Sequence, residues 1–422
     1  MLRHLRPVTL CLLVVGLAAS GSSLLGQSQT GPVATEFEGL HFRSIGPATM
    51  SGRVSDFAVL ESNPAVYYVG TAHGGVWKTT SNGTTFEAQF QDMGLISIGA
   101  VAMSQTNPDL VWAGTGESNN RQSTSWGDGV YKSTDGGKTW RSMGLRNSRH
   151  INRIVVDRED NNIVFVGATG PLFGPGGDRG LFKTTDGGTT WKPVIKGDDD
   201  TGVNDVVQSI SDRRILYAST YQRRRTQCCM NGGGPGSGIW KSTDLGETWT
   251  RQSTGLPAGS LGRIGLDVYR RSANIVYATI EAEGGGGGRG GGGGGGADPA
   301  AGRAGGAGAA APAGGAAQGG TGSGLYRSDD GGATWRRVNA ANPRPMYFSQ
   351  VRIDPNNPDR VYMGGVGVHM TNDGGQSMAT DAAFAIHDDI HAIWINPANT
   401  NHVLIGGDGG VAVSYDMSRT WM

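Results

Sequence analysis

Along most of the chain, apolar and polar positions follow one arrangement: an alternating apolar segment, a turn rich in Asn or Pro, then a second apolar segment. "VRIDPNNPDRVYMGG" at 351–365 and "AIWINPANTNHVLIGG" at 392–407 show it plainly. "FAVLESNPAVYYVGT", "VAMSQTNPDLVWAGT", "IVVDREDNNIVFVGA", "VVQSISDRRILYAST" and "LDVYRRSANIVYATI" repeat it. Period-two alternation of β-branched and aromatic residues around such turns predicts antiparallel hairpins. After each hairpin a short strand such as "GVYKS" or "GIWKS" leads into a second recurring pattern, Ser/Thr-x-Asp-x-Gly-x-Thr-Trp.

That pattern stands as "STDGGKTW" at 133–140, "TTDGGTTW" at 184–191, "STDLGETW" at 242–249 and "SDDGGATW" at 328–335. Degraded copies occur as "TTSNGTTF" at 79–86, "TNDGGQSM" at 371–378 and "SYDMSRTW" at 414–421. Each unit therefore reads as four strands, A to D, with the box as the turn between C and D. Its glycines permit positive φ, the Asp carboxylate and Thr hydroxyl can accept backbone N–H bonds, and the tryptophan covers the hairpin. One such sheet cannot bury both faces alone, whereas radial packing of several can. The predicted fold is all-β: a β-propeller of about seven four-stranded blades over residues 37–422. A sandwich or solenoid with the same strand count fits the long, uneven loops less well.

Composition adds little against this reading. Lys plus Arg equals Asp plus Glu at 36 each, which gives no global field toward nucleic acid or an anionic membrane. Of the 73 glycines, many fall in a Gly/Ala-rich insertion at 284–322, which has no side chains able to form a core. At the N-terminus Arg3 and Arg6 precede an apolar run from Val8 to Ala19 that ends in small residues. This predicts a signal peptide over 1–20, a flexible segment over 21–36, and a secreted or periplasmic protein with no membrane span after cleavage. Cys11 lies in that leader, so the adjacent Cys228 and Cys229 provide no disulfide framework and receive no role.

The boxes resemble the Asp-boxes, or BNR repeats, of sialidases, sortilin-type Vps10 domains and xyloglucanase-like glycoside hydrolases. The resemblance runs from "FRSIGPATMSGRVSDFAV" to Trp421 and is strongest to large secreted bacterial proteins described as Vps10/sortilin-like or BNR-repeat glycosyl hydrolases. Those relatives are much longer, which implies that the chain stops early. Strand D of the seventh unit is expected from "GLHFRSIG" at 39–46, closing the ring, or else the ring is part of a larger propeller. The resemblance also implies that the boxes face away from the ligand site. Sialidase activity is not expected, because "FRSIGP" lacks the Arg-Ile-Pro signature.

In a radial four-stranded unit the A–B turns and boxes share one face, and the longer, more polar B–C and D–A loops share the other. The second face collects His73, Glu117, Asn119, Asn120, Arg121, Asp128, Arg149, His150, Arg153, Arg179 and Asp205. It continues with Arg223, Arg224, Arg225, Arg263, Arg344, Tyr347 and Asp408, and with "HDDIH" at 387–391. Ligand binding is assigned to His73, Arg121, His150, Arg153, Arg223, Arg263, Arg344 and Tyr347.

If strand geometry extends back through "HDDIH", alternation places His387, Asp389 and His391 on one side as ligands of a divalent metal, zinc or calcium. The fourth position would be open or filled by Glu117, His73 or Asp408. The alternative is a polar loop whose histidines cap backbone groups. For hydrolysis, paired carboxylates from Glu117, Asp205, Asp389 and Asp408 would need a separation of about 5–5.5 Å for retention or about 6.5–9.5 Å for inversion. The arginines offer a third chemistry, since guanidinium forks hold carboxylates and sulfates, although "QRRR" also suits a solvated run. Two functions follow: a secreted propeller that binds a glycan, peptide or extracellular protein, or a glycoside hydrolase acting on the same face.

Overall fold

A computed structural model describes residues 52–282, 322–379, 382–383 and 386–422. The expected leader, segments 21–36 and 39–46, and nearly all of the Gly/Ala-rich insertion lie outside the described residues. The described chain is a seven-bladed β-propeller. Its innermost strands are Val54–Val59, Ile98–Met103, Ile151–Val156, Thr201–Gln208, Leu261–Val268, Gln350–Asp354 and Ile390–Ile395. Blades one to five are four-stranded antiparallel sheets, and among the described residues blades six and seven have three strands each. A single 3₁₀ turn, Gln91–Met93, is the one helical element described.

Each innermost strand packs against that of the next blade, and the seventh packs against the first. That closing joint is apolar: Val54, Val59, Tyr67 and Val69 of blade one meet Ala392 and Leu404 of blade seven. Beside the third strand of blade seven, Gly410–Ser414, lies a cavity of about 590 Å³ lined by Val411, Val413, Tyr67, Trp77 and Phe86. Val413 and Met422 exchange both backbone hydrogen bonds at 2.9 Å there.

The recurring turn is built as its residue types require. Asp135 accepts the Thr139 N–H at 2.9 Å and the Thr139 hydroxyl at 2.6 Å, while the Ser133 hydroxyl accepts the Gly137 N–H at 2.8 Å. The first-position hydroxyl is therefore the acceptor, and the later threonine donates to the aspartate. These donors, the Thr139 hydroxyl foremost, hold the Asp135 carboxyl down at about 2. Gly136 N–H bonds the Asp109 carbonyl of the A–B turn, and Gly187, Gly331 and Gly374 repeat the contact with Asn162, Asn274 and Asp359. Boxes and A–B turns thus share one face, as predicted.

Charge lines the channel. Asp205 accepts the N–H of Val206 in its own strand and of Leu266 in the next blade, both at 3.0 Å. Asp56 does the same with Phe57 (3.0 Å) and Val101 (3.2 Å), and Asp267 with Val268 (3.0 Å) and Ile353 (2.7 Å). Arg153 crosses the channel between them, 2.8 Å from Asp205 and 3.3 Å from Asp56. Burial pushes the Asp267 carboxyl up to about 6 against the pull of Arg352, and also raises Asp56. Burial opposes the charge on Arg153, but Asp205 and Asp56 outweigh it and raise its pKa. At the box-side mouth Glu61 of blade one pairs with Arg158 of blade three and Arg270 of blade five.

Arg153 and Asp205 were expected on polar-face loops; both lie on innermost strands inside the channel. A β-bulge beside Asp205 breaks the alternation there, so the strand reads as a loop. Replacing Asp205 with Ala leaves the buried Arg153 with Asp56 as its remaining carboxylate and orphans two backbone N–H groups. Chemical denaturation should show a loss of about 3–5 kcal/mol, the cost of breaking a buried pair on one side.

Candidate functional site

The B–C and D–A loops of blades two, four, six and seven converge over the polar mouth. Glu117 is fully buried and its Oε1 accepts from Arg53 Nε at 2.6 Å. The loop that follows turns on Thr124, which takes the Arg121 N–H at 2.7 Å and donates to the Asn119 carbonyl at 2.8 Å. Asn120 then reaches across the ring. Its side-chain amide donates to Met346 O at 2.7 Å and Tyr221 Oη at 3.1 Å, and its oxygen accepts from Arg223. Arg223 also donates to Thr169 at 2.6 Å, and Arg263 donates to Asn204 at 2.9 Å and to Tyr347 O at 2.5 Å. These contacts roof the channel.

Blade seven supplies the other wall. His391 Nε2 lies 3.0 Å from Asp408 Oδ1, and its ring meets Tyr347 edge-on at 5.1 Å. Burial lowers the His391 pKa against the pull of Asp408, so the neutral ring donates Nε2–H to the carboxylate. Although burial opposes it, Asp408 is held below the usual carboxylate range by His391, Arg53 and Arg121. Burial and nearby Arg223 push His150 well down, and its Nδ1 meets the Glu117 carbonyl at 2.9 Å. Burial lowers Arg223 to about 9 and Arg179 to about 10.

The structure thus brings Glu117, Arg121, His150, Arg223, Arg263, Tyr347, His391 and Asp408 into one region, with Arg344 stacked on Tyr347. His73 is half-buried in the turn between Thr71 and Gly75 of blade one. Arg224 pairs with Asp200, and Arg225 donates to the Asn120 carbonyl at 3.4 Å. Strand geometry does not extend back through "HDDIH". Asp389 has φ +69°, and the strand begins at Ile390. That left-handed residue breaks alternation: His387 lies exposed with Nδ1 against the Asp388 carbonyl, His391 is buried, and Asp389 faces Arg344 at 3.7 Å. Among the described residues no three His, Cys, Asp or Glu side chains gather as a metal site.

Sequence reasoning passed over Arg53, Asp56, Asp267 and Arg352. A signal existed: an aspartate recurs inside the apolar alternation of "VSDFAV", "VNDVVQ" and "GLDVYR". Trp126, 65% exposed in the blade-two loop beneath Arg149, was also missed. Cys228 and Cys229 are joined to each other at the exposed tip of a hairpin, Arg224–Arg225 with Met230–Asn231, on the same face.

No protein-family model matches the chain. Over 276 residues, 60% of this chain and 26% of the relative, it is 27% identical to a xyloglucanase of Paenibacillus sp. Among solved structures it is similar to the GH74 xyloglucanase from Xanthomonas campestris, with TM-score 0.56 and 16% identity over 89% of this chain and 53% of that one. A Niastella koreensis GH74 enzyme gives 0.53 and 16% over 88% and 59%. YCF48 from Cyanidioschyzon merolae gives 0.52 and 13% over 89% and 98%. The chain spans about a quarter of the length of the curated relative. The structural likenesses establish the propeller fold, and the sequence likeness supports a glycoside-hydrolase-like propeller. Among the described residues no helix is long and apolar enough to cross a membrane.

The buried neutral histidines carry a pH signature. With His150 and His391 depressed below 6.5, only the unfolded chain takes up protons there. Their contribution is complete above that value and declines as the pH falls below it. Thermal melts should show Tm falling from pH 7.5 toward 5.5, with a shallower fall in a His150→Gln variant.

Proposed function

We propose that the protein is a secreted propeller that binds a glycan on its polar face without cleaving it. One observation carries this reading: three of the four carboxylates considered for catalysis are held in close contacts of their own. Glu117 meets Arg53 at 2.6 Å, Asp205 meets Arg153 at 2.8 Å and Asp408 meets His391 at 3.0 Å, while Asp389 stands 3.7 Å from Arg344. A nucleophile or general acid needs an open approach to the substrate, and a carboxylate already held in such a contact offers less of one. Asp205 is also sealed inside the channel wall. What the face offers instead is an exposed aromatic, Trp126, with guanidinium groups and amides, the equipment for holding a sugar chain. Similarity to a xyloglucanase supports a glycan as ligand.

That similarity favours one second reading, hydrolysis on this face. It would draw on Asp389 and Asp408, whose contacts to arginine are the two longest and whose backbones are joined by the Asp408 N–H to the Asp389 carbonyl at 3.2 Å. Affinity electrophoresis in xyloglucan and other plant polysaccharides, paired with a reducing-end assay, separates the two. The binding reading predicts retardation with no release of reducing ends. Release that disappears in Asp389→Asn or Asp408→Asn would establish the hydrolase and end the binding-only account.

A further inference from the structure

Three arginines of the polar face are laid over aromatic rings. Arg149 lies 4.5 Å from the ring centre of Trp126, and Arg344 and Arg121 lie 4.9 and 5.6 Å from that of Tyr347. The side chains of Arg121 and Arg344 are 41% and 50% exposed. Stacking fixes the plane of a guanidinium while leaving its N–H edge open to an acceptor.

The backbone reinforces this placement. Arg149 has φ +60° and Arg344 φ +43°, left-handed conformations that a non-glycine residue adopts only where its surroundings impose them. None of the three arginines is satisfied by a carboxylate at hydrogen-bond distance: Asp408 is 3.9 Å from Arg121 and Asp389 is 3.7 Å from Arg344. Arg121 spends one N–H on the Tyr347 hydroxyl at 3.3 Å, and Arg149 has only its ring contact among the described residues. Behind them Arg179 and Arg223 are buried against carbonyl, amide and hydroxyl oxygens.

Resting on the glycan-binding reading, we propose that the ligand is an acidic polysaccharide. Its uronate carboxylates are received by Arg121, Arg149 and Arg344, while Trp126 supports the chain at the rim. The carboxylate takes the in-plane position beside each guanidinium that Asp389 and Asp408 stand too far away to fill. Charge from the buried arginines favours the polyanion over a neutral glucan.

The test uses the full chain with polygalacturonate, the same polymer methyl-esterified, neutral xyloglucan and dextran sulfate. Polygalacturonate should bind about tenfold or more tightly than its ester, in keeping with the loss of charge-assisted hydrogen bonds, and its affinity should fall with added NaCl. Arg149→Asn and Arg344→Asn suit the left-handed backbone, since asparagine tolerates it, and should keep the wild-type melting temperature. Each should lose affinity for polygalacturonate by about tenfold or more. Arg149→Lys should recover only part of the loss, because charge returns without the flat stack. Equal affinity for acid and ester, or variants that bind polygalacturonate as wild type does, would overturn the inference. Dextran sulfate bound as tightly as polygalacturonate would overturn the uronate assignment. Xyloglucan binding without polygalacturonate binding sinks this proposal alone; binding of none of the four sinks the glycan reading itself.

Discussion

An aspartate on an innermost strand takes one N–H from its own blade and one from the next, and the ring depends on that joint. Asp56, Asp205 and Asp267 each make it, joining blade one to two, four to five and five to six. A blade cannot bury both faces by itself, so registry between neighbours decides whether seven sheets form one ring. Arg153 offsets the charge that these carboxylates bring into the channel, and Glu61 ties blades one, three and five at the opposite mouth. The channel is thereby committed to holding the ring together, and ligand chemistry is left to the outer loops.

Those loops use the same pairing for another end. Arg53 on Glu117, Arg223 on Asn120 and Arg263 on the Tyr347 carbonyl fasten blades one, two, four, five and six over the mouth. A carboxylate so held is a poor base and a blocked nucleophile, while a guanidinium stacked on an aromatic remains open to a new acceptor. The balance on this face therefore tilts toward recognition. The neutral histidines fit the same picture, since both serve as hydrogen-bonded wall residues.

The repeating box and hairpin made the fold legible: seven copies, a consistent strand order and the assignment of boxes to one face all agree with the coordinates. The site was legible only as a list of loop residues. Its pairings join positions far apart in the chain, such as Arg53 with Glu117 and Asn120 with Met346, and no local spacing reveals them. Arg153 and Asp205 were misplaced for a local reason: bulges bring charged residues into strands that otherwise alternate cleanly. "HDDIH" failed through a single dihedral angle, because alternation presumes extended backbone and Asp389 is left-handed.

The central claim is that the polar face holds its ligand while Glu117 and Asp408 keep their partners in the wall, Arg53 and His391. A crystal structure of the protein soaked with an oligosaccharide tests this most directly. The account predicts sugar density beside Trp126, Arg121 and Arg344, with Glu117 still on Arg53 and Asp408 still on His391. Density bridging two carboxylates across a glycosidic oxygen, with Asp389 and Asp408 released from Arg344 and Arg121, would contradict it.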